Sequence, residues 1–305
     1  MREIVVFVFS LVLLLMLPGC GGQEDGPPDS FHSGTIHISC DETFKPVIDE
    51  HIRVYMADFP DTKIIVHYKP EAECLMDLYN DTIRMVIATR GFNNSEKAGI
   101  LDSTGVGPQM FTVARDAIAV IVHPQARDSF FTVQEIKDLI IGKLKKDLIP
   151  VFDGLSATST VRFMLDSVLN GQSLGSNVTA APSTQEVVEY VSKVKNAVGF
   201  VGVSWVGNQE DSTQKSFMNK IRIARLESTD SAGFYVKPVQ MLIYTGSYPL
   251  IRDLIYVVKE KHQGLGKAFG YFLQSQRGQL IFRRAYLQPV KWPSYIRSAE
   301  LEEEY

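Results

Sequence analysis

The chain has 305 residues, 45% of them hydrophobic and 22% charged, with a formal net charge of −4. That is the composition of an ordinary folded globular chain, long enough for two domains of common size. The absence of any basic block excludes nucleic acid as a partner, whereas a mildly acidic whole still admits an anionic ligand in a local pocket.

The first element is Met1-Arg2-Glu3 followed by an apolar run from Ile4 to Leu17, broken only by Ser10. A short charged start and a brief apolar core predict a signal peptide over residues 1–19, because a membrane span needs about 20 apolar residues. The run stops at Leu17-Pro18-Gly19-Cys20, which resembles a bacterial lipobox. That resemblance implies cleavage before Cys20, a lipid on its thiol and attachment to a membrane. The other reading is a processed peptide or simple anchor with an incidental cysteine. Residues 20–33, opening with Gly21-Gly22-Gln23-Glu24-Asp25-Gly26-Pro27-Pro28, are expected to form a tether, since such a composition buries no core.

Ile36 and Ile38 then alternate with polar residues as in a strand, and Asp41-Glu42-Thr43 leads into a helical pattern. Phe44, Val47, Ile48, Ile52, Tyr55 and Met56 recur at three- and four-residue steps, and Pro46 suits a first turn. Lys63–Tyr68 reads as a strand, Glu71–Tyr79 as a helix, and Met85–Ala88 as a strand ending at Thr89-Arg90-Gly91. This order predicts a parallel sheet with helices on its faces. Ile118–Val122 is a continuous apolar run of the buried-strand kind. Thr132 with Glu135, and Ser183 with Glu186, make capping boxes before apolar helical patterns. Val198–Val203, Ile221–Leu226 and Val239–Tyr244 read as later strands, and Gly264–Ile281 as a C-terminal helix. Two α/β lobes follow.

Cys40 and Cys74 either pair in an oxidising compartment or stay as buried thiols. No zinc-type spacing, GxSxG, HExxH or P-loop pattern is present. No nucleophile stands with an oriented base, so the chain is expected to be no enzyme and to need no cofactor or metal.

Four segments carry a resemblance to the phosphate-binding proteins of ABC importers, the PstS type of the two-lobed (type II) clamshell superfamily. Asp116-Ala117-Ile118-Ala119-Val120-Ile121-Val122-His123-Pro124 is similar to the DGIAVIVNP strand of that family, and Phe131–Leu144 to its LTxEQLxxIFxGKI helix. Val198-Gly199-Phe200-Val201-Gly202 is similar to GIGYV, and Ser247-Tyr248-Pro249-Leu250-Ile251-Arg252 to YPLxRxL. The order of these segments over residues 34–293 makes the match specific. The resemblance implies an α/β clamshell with two hinge strands, lobe one from 34–116 and 241–305 and lobe two from 117–240.

It also implies a ligand held between the lobes by exposed backbone N–H groups, hydroxyls and an arginine. Three loops match family positions. Thr43 and Phe44 fall in the first, Thr89 and Arg90 in the second, and Asp153, Thr158, Ser159, Thr160 and Arg162 in the third. Singly these residues are as well explained as helix caps or, for Arg90, as a surface ion pair. The third loop departs from the family's R-x-D-G-S-G-T, with Val151 where the arginine stands and Leu155 intruding, so Arg162 either replaces the lost charge or points to solvent. Asp41 and Glu42 bring carboxylates where small neutral residues are usual. A carboxylate can accept the proton of a monoprotonated phosphate and so favour it over sulfate, but two exceed that need. The expectation is a monomeric, exported, lipid-anchored protein binding phosphate for ABC permease subunits. The alternative is a clamshell binding or sensory module for another small oxyanion or polar ligand.

Overall fold

The computed structural model describes residues 29–80, 82–155, 158–208 and 210–291; the signal peptide, Cys20 and the first part of the tether lie outside the described residues. Strand β1 (Gly34–Asp41) turns Ile36, Ile38 and Cys40 into one apolar cluster, so its period of two leaves Ser39 and Asp41 on the other face. Strands β2 (Thr62–Lys69) and β3 (Ile83–Ala88) flank β1 in parallel. The crossovers carry helices α1 (Lys45–Asp58), with Pro46 in its first turn, and α2 (Glu71–Asp77). Helix α3 (Asn94–Thr104) follows on a complete Asn93–Glu96 capping box.

Strand β4 (Gln109–Val122) joins the two halves of the molecule. Its first part, Gln109–Ala117, pairs antiparallel with β12, and its second, Ile118–Val122, with β8. Beyond it lie β5 (Phe130–Phe131), α4 (Val133–Ile140), β6 (Ile149–Phe152), α5 (Ser159–Phe163), β7 (Thr179–Ala180), α6 (Thr184–Lys193) and β8 (Ala197–Gly202). Strands β8, β6 and β7 run parallel in that order. The Thr132–Glu135 box caps α4 in full, and Ser183 accepts from Glu186 N–H at the start of α6. Then come α7 (Ser212–Lys220), β9 (Arg222–Ile223), β10 (Arg225–Glu227), β11 (Tyr235–Val236), α8 (Gln240–Thr245), β12 (Ile251–Val258), α9 (Leu265–Gln274), α10 (Gln276–Arg284) and β13 (Gln288–Pro289). The fold is the two-lobed α/β architecture expected. Each half has its own core, one around Ile38, Phe44, Tyr55 and Phe269, the other around Phe131, Phe152 and Phe200.

Several expectations are corrected. Val239–Tyr244 is a helix and not a strand; a short apolar run does not distinguish the two by periodicity, and Gly246 at φ 82 ends it. The last long strand is instead β12, where Arg252 and Asp253 interrupt the apolar run. Ile221–Leu226 divides at Ala224, because β9 pairs with β4 while β10 joins a separate three-stranded sheet with β5 and β11. The C-terminal helix breaks at Ser275, whose hydroxyl caps α10. At the end of the tether, Asp29 is buried against Arg84 and His262 at 2.7 Å, so this stretch is docked. Cys40 and Cys74 are free and buried, their thiols directed at the Asp41 and Lys69 carbonyls.

Candidate functional site

The site forms where β4 passes from one half to the other. Asp116, the last residue but one before that passage, faces Arg252 across the β4–β12 ladder, and both are almost fully buried. Arg252 Nε donates to Asp116 Oδ2 at 2.9 Å, and Nη2 lies 2.9 Å from the same oxygen. Its Nη1 donates to Ser159 Oγ at 2.9 Å, and the Ser159 and Thr43 hydroxyls are 3.3 Å apart. The guanidinium sits 5.3 Å over the Phe44 ring. A buried arginine is tolerated only with such partners. Thr160 Oγ1 is buried with no hydrogen-bond partner among the described residues, as is Asp41 Oδ2.

Asp41 lies beside Ser159 and Arg252, and its Oδ1 accepts from Thr43 N–H at 3.1 Å. Burial pushes its carboxyl up, Arg252 draws it back and Glu71 adds to the rise, leaving it at about 7. Burial likewise raises Asp153, against the pull of the Thr184 and Thr158 hydroxyls that donate to it at 3.1 Å. Asp153 and Thr158 therefore brace the third loop, with Thr158 capping α5 through Val161 N–H. Glu42 is raised by burial and by Asp153 and Glu73.

A second cluster involves Thr89 and Arg162. Arg162 reaches away from α5 to Glu71 Oε2 at 2.5 Å and to Thr89 Oγ1 at 2.8 Å, rather than into solvent. Glu71 Oε1 accepts from both the N–H and the hydroxyl of Thr89 at 2.7 Å. The lobes also meet at the Thr43 carbonyl, which accepts from Trp205 Nε1 at 2.7 Å and from Ser204.

The structure thus brings Thr43, Phe44 and Ser159 together around Arg252, with Thr160 next to Ser159 on α5, and Thr89 with Arg162 around Glu71. Arg90 is apart from both. Its guanidinium bonds Glu96 at 3.0 and 3.1 Å and the Gly91 carbonyl at 2.9 Å, and it is 36% exposed. Sequence reasoning gave no site role to Arg252, Asp116 or Glu71. The first two stood inside the quoted motifs, while Glu71, after Pro70, had no local signal beyond an acidic helix start. A surface cavity of about 590 Å³, lined by Val47, Arg53, Gln214 and Arg284, shares none of these residues.

Comparison with known proteins adds the following. A family model described as a PBP superfamily domain matches residues 25–277. The phosphate-binding protein PstS of Borreliella burgdorferi is 20% identical over 297 residues, covering 92% of this chain and 96% of that one. The PstS of Pseudomonas aeruginosa PAO1 is 22% identical over 273 residues, covering 82% and 81%. Among solved structures, one from Clostridium perfringens, assigned as a phosphate ABC transporter substrate-binding protein with bound phosphate, superposes with a TM-score of 0.71 at 20% identity, over 85% of this chain and 100% of that one. An ABC-type phosphate transport receptor from Vibrio cholerae superposes with a TM-score of 0.63 at 16% identity, over 84% and 100%.

Proposed function

The chain belongs to the PBP superfamily, and we propose that within it the protein binds phosphate between its two lobes for delivery to an ABC permease. The observation that carries this reading is the Arg252–Ser159–Thr43 chain of polar contacts, which spans both lobes and leaves the Thr160 hydroxyl unsatisfied. A guanidinium with converging hydroxyls is what a tetrahedral oxyanion needs. The names of the PstS relatives support the choice of phosphate. Asp41 in its ionised form would accept the proton of a monoprotonated phosphate, a proton that sulfate lacks. Ligand binding between the lobes is all that this reading asks of the arrangement.

In this reading lobe one comprises residues 34–116 and 251–291, and lobe two residues 117–250. This reading puts the return at Ile251, where the resemblance implied about Met241; the packing of Ile243, Tyr248 and Leu250 in one cluster with Ile118 and Phe131 supports it. In this reading the mature protein is held at the membrane by a lipid on Cys20, as the lipobox-like Leu17–Cys20 supports. Recovery of a Cys20→Ala chain in the lipid-labelled membrane fraction would overturn that anchor.

Calorimetry on the purified protein tests the ligand. Phosphate is expected to bind and sulfate to bind far more weakly, and Thr160→Val is expected to weaken phosphate binding by about 1.5–3 kcal/mol, the worth of one hydrogen bond to a charged group. Heat with another oxyanion or a polar organic ligand, and none with phosphate, would instead support the second reading. That reading draws on Val151 in place of an arginine and on the buried carboxylates of Asp41, Glu71 and Asp153.

A further inference from the structure

Glu71 stands at the first position of α2, directly after Pro70, and is 1% exposed. A carboxylate so removed from water is costly unless charged and hydrogen-bonding partners surround it. Here they do. Thr89 supplies a backbone N–H and a hydroxyl to Oε1, each at 2.7 Å, and Arg162 supplies Nε to Oε2 at 2.5 Å. Arg162 Nη2 then donates to Thr89 Oγ1 at 2.8 Å, which closes a ring of contacts. Burial pushes the Glu71 carboxyl up, but Arg162 and Thr89 more than cancel it and hold it below the usual range, so it is ionised.

A backbone amide, a hydroxyl and a guanidinium are the donors by which proteins recognise carboxylate, sulfate or phosphate. In this cleft the chain itself supplies the anion. The ring also crosses the cleft, since Glu71 and Thr89 follow β2 and β3 of one half while Arg162 belongs to α5 of the other. We propose that Glu71 is a built-in anion of the cleft, which holds the two lobes together without ligand and competes with an incoming oxyanion for Thr89 and Arg162. The inference deepens the cleft reading above and rests on it for the identity of the competing ligand.

Two consequences follow. The ligand-free protein is already closed, so ligand adds little further compaction. An oxyanion beside Arg252 also meets the negative charge of Glu71, which narrows what the cleft accepts. Glu71→Gln keeps the shape and an acceptor for Thr89 but removes the charge that Arg162 needs; Arg162→Gln cuts the same contact from the other lobe.

Small-angle scattering of the purified, ligand-free protein reads the first consequence. Wild type is expected to match the closed structure, and both variants are expected to show a larger radius of gyration while still unfolding cooperatively. Variants as compact as wild type, or a ligand-free wild type as open as the variants, would overturn the latch. Calorimetry with inorganic phosphate reads the second. Glu71→Gln is expected to bind on the order of tenfold tighter than wild type, as removal of one nearby like charge implies. Equal or weaker affinity would overturn the competition. Failure of wild type and variant alike to bind phosphate would sink the phosphate assignment, and the scattering would still decide the latch.

Discussion

Asp41 is a fully buried carboxyl whose Oδ2 has no hydrogen-bond partner among the described residues, and it titrates at about 7 instead of its ordinary 3.8. Between those two values the native protein keeps a proton that the unfolded chain has released. Stability therefore falls as pH rises from about 4 to about 7, and this contribution levels off above that. Asp41→Asn keeps an oxygen for Thr43 N–H and removes the titration. Urea unfolding at pH 5 and pH 8 is expected to show the variant gaining on wild type at the higher pH, on the order of 2–4 kcal/mol. Identical pH profiles would show that Asp41 is ionised throughout. Arg90 and Arg252 differ in what their ion pairs are worth. Arg90, half-exposed on Glu96, makes a surface pair of the kind worth at most about 1 kcal/mol. Arg252 is 4% exposed and holds the Asp116 carboxylate, a pair whose breakage strands a buried charge.

Among the elements, β8 and α5 bring the second half up to the first. Gly202 closes β8 at φ −62, a backbone any residue adopts, so its smallness matters only for what lies opposite. A Cβ there would stand 2.9 Å from Thr43 Cγ2 and 3.4 Å from Arg252 Nη2 and Asp116 Oδ2. Gly202→Ala is thus expected to fold as wild type does but to hold the lobes apart. Phosphate affinity should fall roughly tenfold, in keeping with about 1–3 kcal/mol for overpacking. Unchanged affinity in calorimetry would mean that Thr43 gives way without the cleft opening. The cap of α5 acts in the same region, for Thr158 bonds Val161 N–H and Asp153 at once and so sets where Ser159 and Thr160 stand.

Over the whole molecule, the features readable from the chain alone are those that short-range physics encodes. Alternation in β1, helical spacing in α1 and the Thr132–Glu135 box were each legible, because their partners lie within a few residues. The strand–helix order and the segments from Asp116 to Arg252 pointed to the two-lobed fold. Where an apolar run was short, as at Val239–Tyr244, helix and strand were indistinguishable, and packing against Ile118 and Phe131 decided for helix. The cleft itself was legible only in part. Thr43, Ser159 and Thr160 could be named from their loops, but not which arginine they meet. Arg252 finds Asp116 across 136 residues, and Arg162 finds Glu71 across 91. No local pattern records such a pairing. It exists because the chain crosses between lobes at β4 and returns at β12, and a charge left in that buried crossing must take whichever partner the fold brings within hydrogen-bond reach.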